Sequence, residues 1–169
     1  MNTLSKQKKN VQTIVSKQFL TFRIGHENYG LELSQTREII EYSGITAVPL
    51  MPNFLRGVIN LRGEVVPVID LAVRLGRKPI EVQRRTCIIV VELENSEQHH
   101  VLGLLADAVS EVIEMDEENI EDAPSFGANI RAEFIQGIAK QGDEFVVLLD
   151  ANNALSIREL AHLVEAELQ

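Results

Sequence analysis

The chain has one cysteine, Cys87, among 169 residues, which excludes an internal disulfide framework and a zinc site built from several cysteines. It also lacks any apolar run near the roughly 18 residues of a membrane-spanning helix, and its Lys-rich start lacks the apolar segment of a secretory signal. Basic residues are in deficit: 16 Lys and Arg against 25 Asp and Glu give a net charge of -9, which repels nucleic-acid backbones and anionic lipid. We therefore expect a cytoplasmic protein that neither binds nucleic acid nor inserts into a membrane.

Familiar catalytic and ligand-binding motifs are missing from the sequence as well. There is no Walker loop, no dinucleotide fingerprint and no Gly-x-Ser-x-Gly elbow. The acidic stretch MDEENIED lacks the residue order of a calcium loop. His99 and His100 are adjacent, so on a strand their side chains point to opposite faces and are poorly placed to bind one metal. We expect no cofactor and no metal, and we favour a binding module over an enzyme.

An internal repeat organises the chain. The segment FLRGVINLRGEVVPVID, Phe54 to Asp70, matches FIQGIAKQGDEFVVLLD, Phe134 to Asp150, eighty residues later. Upstream, GLELSQTREIIE matches GLLADAVSEVIE at an offset of 73 residues. The offset grows by about seven residues between the two blocks, which indicates an insertion in the acidic loop of the second copy. The chain therefore contains two copies of one β-rich unit.

Short strands and tight turns are predicted within each copy. FLTFRI and YGLEL flank a polar turn in the first copy, as CIIVVEL and HHVLGLL do in the second. GVINL and EVVPVI flank Arg62 and Gly63, where glycine can supply the positive φ of a tight hairpin. Pro67 cannot donate to a ladder, so we expect its strand to lie at an edge or to be bulged there. The pattern predicts two small, partly open barrels packed on each other.

Helices and boundaries complete the predicted organisation. Asp70 is placed to cap a short helix, LAVRL, that Gly76 ends. A capping box predicts a C-terminal helix over residues 156–169, packed on the barrels. Residues 1–16 are predicted to be a flexible tail. The main domain spans residues 17–155, with one subdomain over about 17–83 and another over about 84–155.

An enzymatic alternative uses Asp70 and Asp150, which occupy equivalent repeat positions and could share a proton as the dyad of a hydrolase. Neither aspartate is followed by the Thr/Ser-Gly of an aspartic protease loop. Helix capping accounts for both residues, so this alternative is the weaker one. A ligand-binding β-barrel is a third interpretation.

The segments YGLELSQTREIIEY, ITAVPLMP and FLRGVINLRGEVVPVIDL together resemble the CheW family, coupling proteins that link chemoreceptors to the histidine kinase CheA in bacterial chemotaxis. The likeness extends from about Phe19 to Asp150. It implies two SH3-like five-stranded β-barrel subdomains and a non-enzymatic adaptor. It also implies that the tip of a methyl-accepting chemotaxis protein lies in the groove between the subdomains, that the regulatory domain of CheA is contacted, and that the chain assembles into rings with the kinase.

The resemblance also identifies candidate site residues by motif position. The receptor-binding groove would involve Leu33, Thr36, Ile39 and Val109, and the motif and interface residues would be Glu38, Asn60, Arg62 and Gly63. Thr36 and Val109 are repeat equivalents and are expected to face each other across the groove. Core packing is the alternative role for Leu33 and Ile39, and a solvated turn charge is the alternative for Arg62.

We further predict an ion pair between Arg62 and Glu38, because the hairpin and the strand that carry them are both expected beside the groove. The second copy has Gly142 in place of Arg62. No analogous pair is therefore expected there.

Overall fold

The computed structural model describes residues 15–95, 98–122 and 132–155, most of them in strands. In chain order the strands are β1 (Ser16–Ile24), β2 (Glu27–Glu32), β3 (Thr36–Glu41), β4 (Leu55–Leu61), β5 (Glu64–Asp70), β6 (Cys87–Asn95), β7 (Gln98–Ala106), β8 (Ala108–Asp116), β9 (Ile120–Glu121), β10 (Ile135–Gln141) and β11 (Glu144–Leu149). The short helices are α1 (Leu71–Arg74) and α2 (Ala151–Ala154), with 3-10 turns η1 (Leu33–Gln35), η2 (Glu117–Asn119) and η3 (Ala132–Phe134). The predicted mainly β fold is confirmed. Within the described ranges, no helix is long and apolar enough to cross a membrane.

The strands form two sheets with matching strand orders. One is five-stranded, in the order β3-β6-β7-β5-β4, and the other is six-stranded, in the order β8-β1-β2-β11-β10-β9. The sixth strand, β9, has only two residues and comes from the acidic segment of the second copy. In the first copy a single bridge between Thr46 and Val58 takes its place. The six-stranded sheet thus differs from the expected five strands by this one short pairing.

Each sheet combines strands from both copies of the repeat. The β1–β2 hairpin of the first copy joins β8 to β11 of the second, and the β6–β7 hairpin of the second joins β3 to β5 of the first. The exchanged hairpins attach by parallel pairing, β2 with β11 and β7 with β5. The predicted subdomain boundary near residues 83 and 84 follows the sequence repeat and stays a prediction. Each sheet contains strands from both sides of that boundary.

Two repeat-equivalent glycines lie at these parallel junctions. Gly30 is opposite Leu148, and Gly103 is opposite Val68. A Cβ on Gly30 would lie 2.8 Å from a methyl carbon of Leu148, and one on Gly103 would lie 2.8 Å from a methyl carbon of Ile88. Glycine within a strand is typical of such a close approach. In both copies a side chain at this position would require its packed neighbours to shift.

One apolar core joins the two sheets. Phe22, Tyr29 and Leu31 of the six-stranded sheet belong to the same buried cluster as Val66 and Leu104 of the five-stranded sheet. A smaller cluster fills the interior of the six-stranded sheet and contains Phe19, Ile113, Ala139, Val146 and Leu148. Because the larger cluster crosses both sheets, we expect the described domain to unfold as one unit.

The N-terminal boundary of the domain lies slightly earlier than predicted. Ser16, assigned to the tail, is the first residue of β1 and pairs with Asp116 of β8. Its hydroxyl donates to the Glu114 carboxylate at 2.8 Å. The rest of the predicted tail, up to residue 14, and the predicted helix over residues 156–169 lie outside the described residues.

The expectation for Pro67 was wrong. Its strand, β5, runs inside the sheet between β7 and β4, and the bulge of this hairpin lies on β4 between Leu55 and Gly57. Pro67 is tolerated there because β5 pairs with β7 only from Val68 onward. The missing N–H therefore falls just before the parallel ladder begins.

Candidate functional site

The β4–β5 hairpin carries the motif that only the first copy has. It turns through Arg62 and Gly63, whose φ values of 50° and 87° are the two positive angles of a type I′ turn. The side-chain oxygen of Asn60 accepts a hydrogen bond from the Gly63 amide at 2.8 Å. An arginine rarely adopts a positive φ. The hairpin therefore holds Arg62 in a costly conformation, whereas Gly142 takes the equivalent place in the second copy at φ 62° without that cost.

Arg62 forms the predicted ion pair with Glu38. Its Nη2 donates to Oε1 at 2.8 Å, and its Nη1 donates to Oε2 at 3.4 Å, a two-pronged geometry. The Arg62 side chain is 64% exposed and that of Glu38 is 28% exposed. A pair this exposed contributes only about 0 to 1 kcal/mol to stability. The predicted ion pair is confirmed. Its contribution to the free energy of unfolding is too small for stability to be its only role.

The ion pair bridges the two edges of the five-stranded sheet. β3 and β4 stand at opposite ends of the strand order, yet the turn after β4 reaches β3 through side chains. Arg37, at the bulge of β3, lies 3.8 Å from the Glu64 carboxylate at the start of β5 and 3.1 Å from that of Glu92. These contacts link the edge strand β3 to the β4–β5 hairpin through side chains.

The second copy closes its sheet with a different contact. Gln141 donates to the Glu111 carboxylate at 2.7 Å, and Glu111 is the repeat equivalent of Glu38. Because Gln141 is neutral, this bond is a hydrogen bond from the flank of the turn and not an ion pair like that of Arg62 with Glu38.

Exposed apolar side chains recur at repeat-equivalent positions. Ile39 and Val65 are 44% and 69% exposed, and we call them the first apolar pair. Their equivalents Val112 and Phe145 are 47% and 60% exposed, and we call them the second apolar pair. A single exposed apolar residue is ordinary, but recurrence in both copies indicates surfaces that contact other proteins. Sequence reasoning missed three of the four, although the repeat alignment carried the signal.

The other predicted groove residues are partly buried. Leu33 lies in η1, which contacts β1 of one sheet and β6 of the other, and its side chain packs against the larger core. Thr36 and Val109 lie near the starts of the edge strands β3 and β8. The Thr36 hydroxyl donates to the Glu32 carbonyl at 3.3 Å. The structure thus places Leu33 where the two sheets meet, and the facing of Thr36 and Val109 across a groove stays a prediction.

A depression of about 350 Å³ opens beside Leu33. Its lining consists of Lys17, Gln18, Glu32, Leu33 and Ser34. Lys17 donates to Glu32 at 3.1 Å, and this hydrogen bond raises the pKa of Lys17. Small-molecule pockets are mostly apolar and enclosed. A depression that places a leucine beside charged side chains suits contact with a protein partner better than it suits a small molecule.

Asp70 does not have the environment of a catalytic acid. Its side chain is fully buried, and Oδ1 accepts the amides of Ala72 and Val73 at 3.1 and 3.4 Å. Oδ2 accepts Arg56 Nη1 at 3.1 Å and the Ile80 amide at 3.0 Å. Four donors occupy the roughly four lone-pair sites of a carboxylate. The predicted helix cap is confirmed, and the geometry leaves no oxygen free for a substrate.

Two potential metal ligands that the structure describes, His99 and Cys87, have surroundings of other kinds. His99 is 52% exposed and lies 3.6 Å from Glu92 and 3.8 Å from Glu94, as on a solvated hairpin. In the part of the chain that the structure describes, no group of three or more potential ligands is arranged to hold a metal. Cys87 is buried, and this burial raises the pKa of its thiol, so it stays protonated.

Taken together, the fold defines a class: a duplicated, mainly β module of two interlocked sheets with recurring exposed apolar positions. Residues 18–159 match the CheW-like domain. The chain therefore belongs to the CheW-like domain family.

Individual relatives show the same likeness over most of their length. A chemotaxis protein CheW of Klebsiella aerogenes is 33% identical over 147 residues, covering 87% of this chain and 86% of the relative. A probable chemotaxis protein CheW of Rhizobium etli is 35% identical over 143 residues, covering 85% and 90%. The crystal structure of the scaffolding protein TtCheW from Thermoanaerobacter tengcongensis superposes with a TM-score of 0.72 at 36% identity, covering 80% of this chain and 85% of that one.

Proposed function

We propose that the chain is a non-enzymatic scaffold of bacterial chemotaxis that acts in the cytoplasm and couples chemoreceptors to the histidine kinase CheA. The receptor tip binds in the groove of Leu33, Thr36, Ile39 and Val109, and the kinase contributes its regulatory domain. Family membership and the names of the relatives support the general role. The two partners and the sites assigned to them are the finer part of the proposal.

One observation carries the site assignment: the Arg62–Glu38 pair on the hairpin that only the first copy has. The hairpin keeps Arg62 at a positive φ, which is a strained position, and the resulting ion pair is too exposed to repay that strain in stability. Strain of this kind is typical of functional positions. Ile39 follows Glu38 on the same strand and is exposed, with its side chain on the opposite face of the strand. Arginine is enriched at protein interfaces and at their hot spots.

A charge-swap cycle tests this assignment. Arg62→Glu and Glu38→Arg should each weaken binding to a receptor cytoplasmic fragment by about 2 kcal/mol or more, as expected for a positioned arginine at an interface. The double variant restores opposite charges, so its affinity should recover in part. Titration calorimetry of the four proteins gives the coupling energy. Simply additive losses would mean that the two residues do not act as a pair.

The turn itself supplies a matched control. Arg62→Gly places the residue of the second copy in the first and removes both the guanidinium and the positive-φ strain. Its free energy of unfolding should stay within about 1 kcal/mol of the parent value. Its receptor affinity should nevertheless fall as far as that of Arg62→Glu, which would separate binding from folding.

The two partners are expected to use different surfaces. Val109→Gln puts a longer polar side chain at a partly buried groove position and should weaken receptor binding. The affinity for the kinase regulatory domain should change by no more than about 0.5 kcal/mol, as expected for distant sites. Val82→Gln is the control, because it makes the same change at an exposed position outside the strands. Equal loss of both affinities in a folded Val109→Gln protein would show a shared surface instead.

A further inference from the structure

Arg74 links the two copies of the repeat. It is the last residue of α1, and its Nε donates to the carbonyl of Ala154, the last residue of α2, at 2.8 Å. Ala154 is the repeat equivalent of Arg74. A contact between equivalent residues marks the pseudo-twofold axis that relates the copies.

Two aromatic rings enclose the guanidinium at this axis. Cζ of Arg74 lies 5.2 Å from the centroid of the Phe54 ring and 4.8 Å from that of Phe134. The two phenylalanines are repeat equivalents and are 7% and 4% exposed. Their carbonyls accept the amides of Asp70 and Asp150 at 2.7 and 2.8 Å, which ties each ring to its own helix cap. A cation over a desolvated ring face is held more strongly than an exposed one.

The contact is directional, unlike the apolar core around it. Hydrophobic burial favours any arrangement that removes the same surface from water. A planar cation over two rings, whose Nε also donates a hydrogen bond to Ala154, is compatible with few relative orientations of those rings. The second copy has Ala154 where the first has Arg74, so one side chain serves both halves.

We propose that Arg74 is a positioning residue that sets the relative orientation of the two sheets and thereby the placement of the first and second apolar pairs. The consequence of this orientation for signalling rests on the proposed scaffold function. A scaffold that joins two proteins must present their binding surfaces in one geometry for all three to assemble.

A distance measurement on the full chain tests the positioning role without any partner. Spin labels are attached to Val65→Cys and Phe145→Cys, exposed equivalents on the two sheets, in a Cys87→Ala background. Double electron–electron resonance should give one narrow distance with Arg74. The distribution should be about twofold broader, or shifted, in Arg74→Met, which keeps an unbranched side chain that is shorter and lacks the charge and the donors. Arg74→Lys keeps the charge without the planar group and should be intermediate.

Arg37→Met is the matched control, because the ion pairs of Arg37 stay within the five-stranded sheet. It should leave the distance distribution unchanged. A folded Arg74→Met protein with the parental distribution would overturn the proposal even if its melting temperature fell, because only packing would then have been lost. If Arg74→Met does not fold, a parental distribution in Arg74→Lys would overturn it equally.

Binding measurements on the unlabelled variants separate this inference from the proposed function. Arg74→Met should bind a receptor fragment and the kinase regulatory domain singly with nearly parental affinity, while assembly of all three should weaken by about tenfold. Single affinities that fall as far as the assembly would contradict a role through geometry. If the parent chain binds neither partner while the distances still depend on Arg74, the scaffold function fails and the positioning role stands.

Discussion

Replacing Asp70 by alanine is expected to lower the free energy of unfolding by about 3 to 5 kcal/mol. The carboxylate is fully buried and accepts hydrogen bonds from one guanidinium and three backbone amides. Its removal leaves the Arg56 charge without its carboxylate partner and strips the cap from α1. It also releases Ile80, whose amide the same carboxylate holds. Chemical denaturation with an unchanged m value would measure the loss.

Asp150→Ala is the matched control for this prediction. Asp150 is the repeat equivalent and also caps a helix, but it is only partly buried and accepts hydrogen bonds from the backbone amide and the side-chain amide of Asn153. Losing such a cap costs about 1 kcal/mol. Equal losses for the two alanine variants would mean that the network around Asp70 adds nothing to capping.

Gly57→Ala should be the second severe change, with a loss of about 2 to 4 kcal/mol from overpacking and backbone strain together. Gly57 has φ 148°, and a Cβ there would lie 2.1 Å from the Thr46 carbonyl oxygen. That oxygen accepts the Val58 amide at 2.9 Å, so the clash would push away the segment that bridges to β4. Thermal and denaturant unfolding would both report the loss.

Gly25→Ala separates the two causes. Gly25 also has a positive φ, of 62°, but a Cβ there would meet no atom within 4 Å. It should therefore cost only the roughly 1 to 2 kcal/mol of a left-handed residue. A Gly57→Ala protein no less stable than Gly25→Ala would show that the segment at Thr46 can yield without penalty.

Much of the fold follows from local pattern. Alternating apolar residues and turn glycines indicated the hairpins, and the equivalent positions of Asp70 and Asp150 indicated both helix caps. The Arg62–Glu38 pair could be predicted because the motif occurs in only one copy, which pointed to a dedicated partner. In each of these cases the decisive interaction is close in sequence, or the repeat makes it visible.

The exchange of hairpins between sheets could not be predicted in this way. Strand patterns show which residues form strands, but the choice between β7 and another partner for β5 depends on long-range packing. Pro67 was misplaced for this reason, since its tolerance depends on where the parallel ladder starts. Arg74 was missed because its contacts require Phe54 and Phe134, eighty residues apart, to meet at the axis. Gly30 and Gly103 were the available sign that side chains of neighbouring strands pack closely over these positions.

The central claim is that one chain holds two different proteins at once through separate surfaces. The most direct measurement is analytical ultracentrifugation of the chain with a receptor cytoplasmic fragment and the kinase regulatory domain, each alone and then together. The proposal predicts a complex of all three proteins that is larger than either two-protein complex of the chain. With Val109→Gln, the complex should lose the receptor fragment and keep the kinase regulatory domain. Competition between the two partners for the chain, with no three-component species at any concentration, would contradict it.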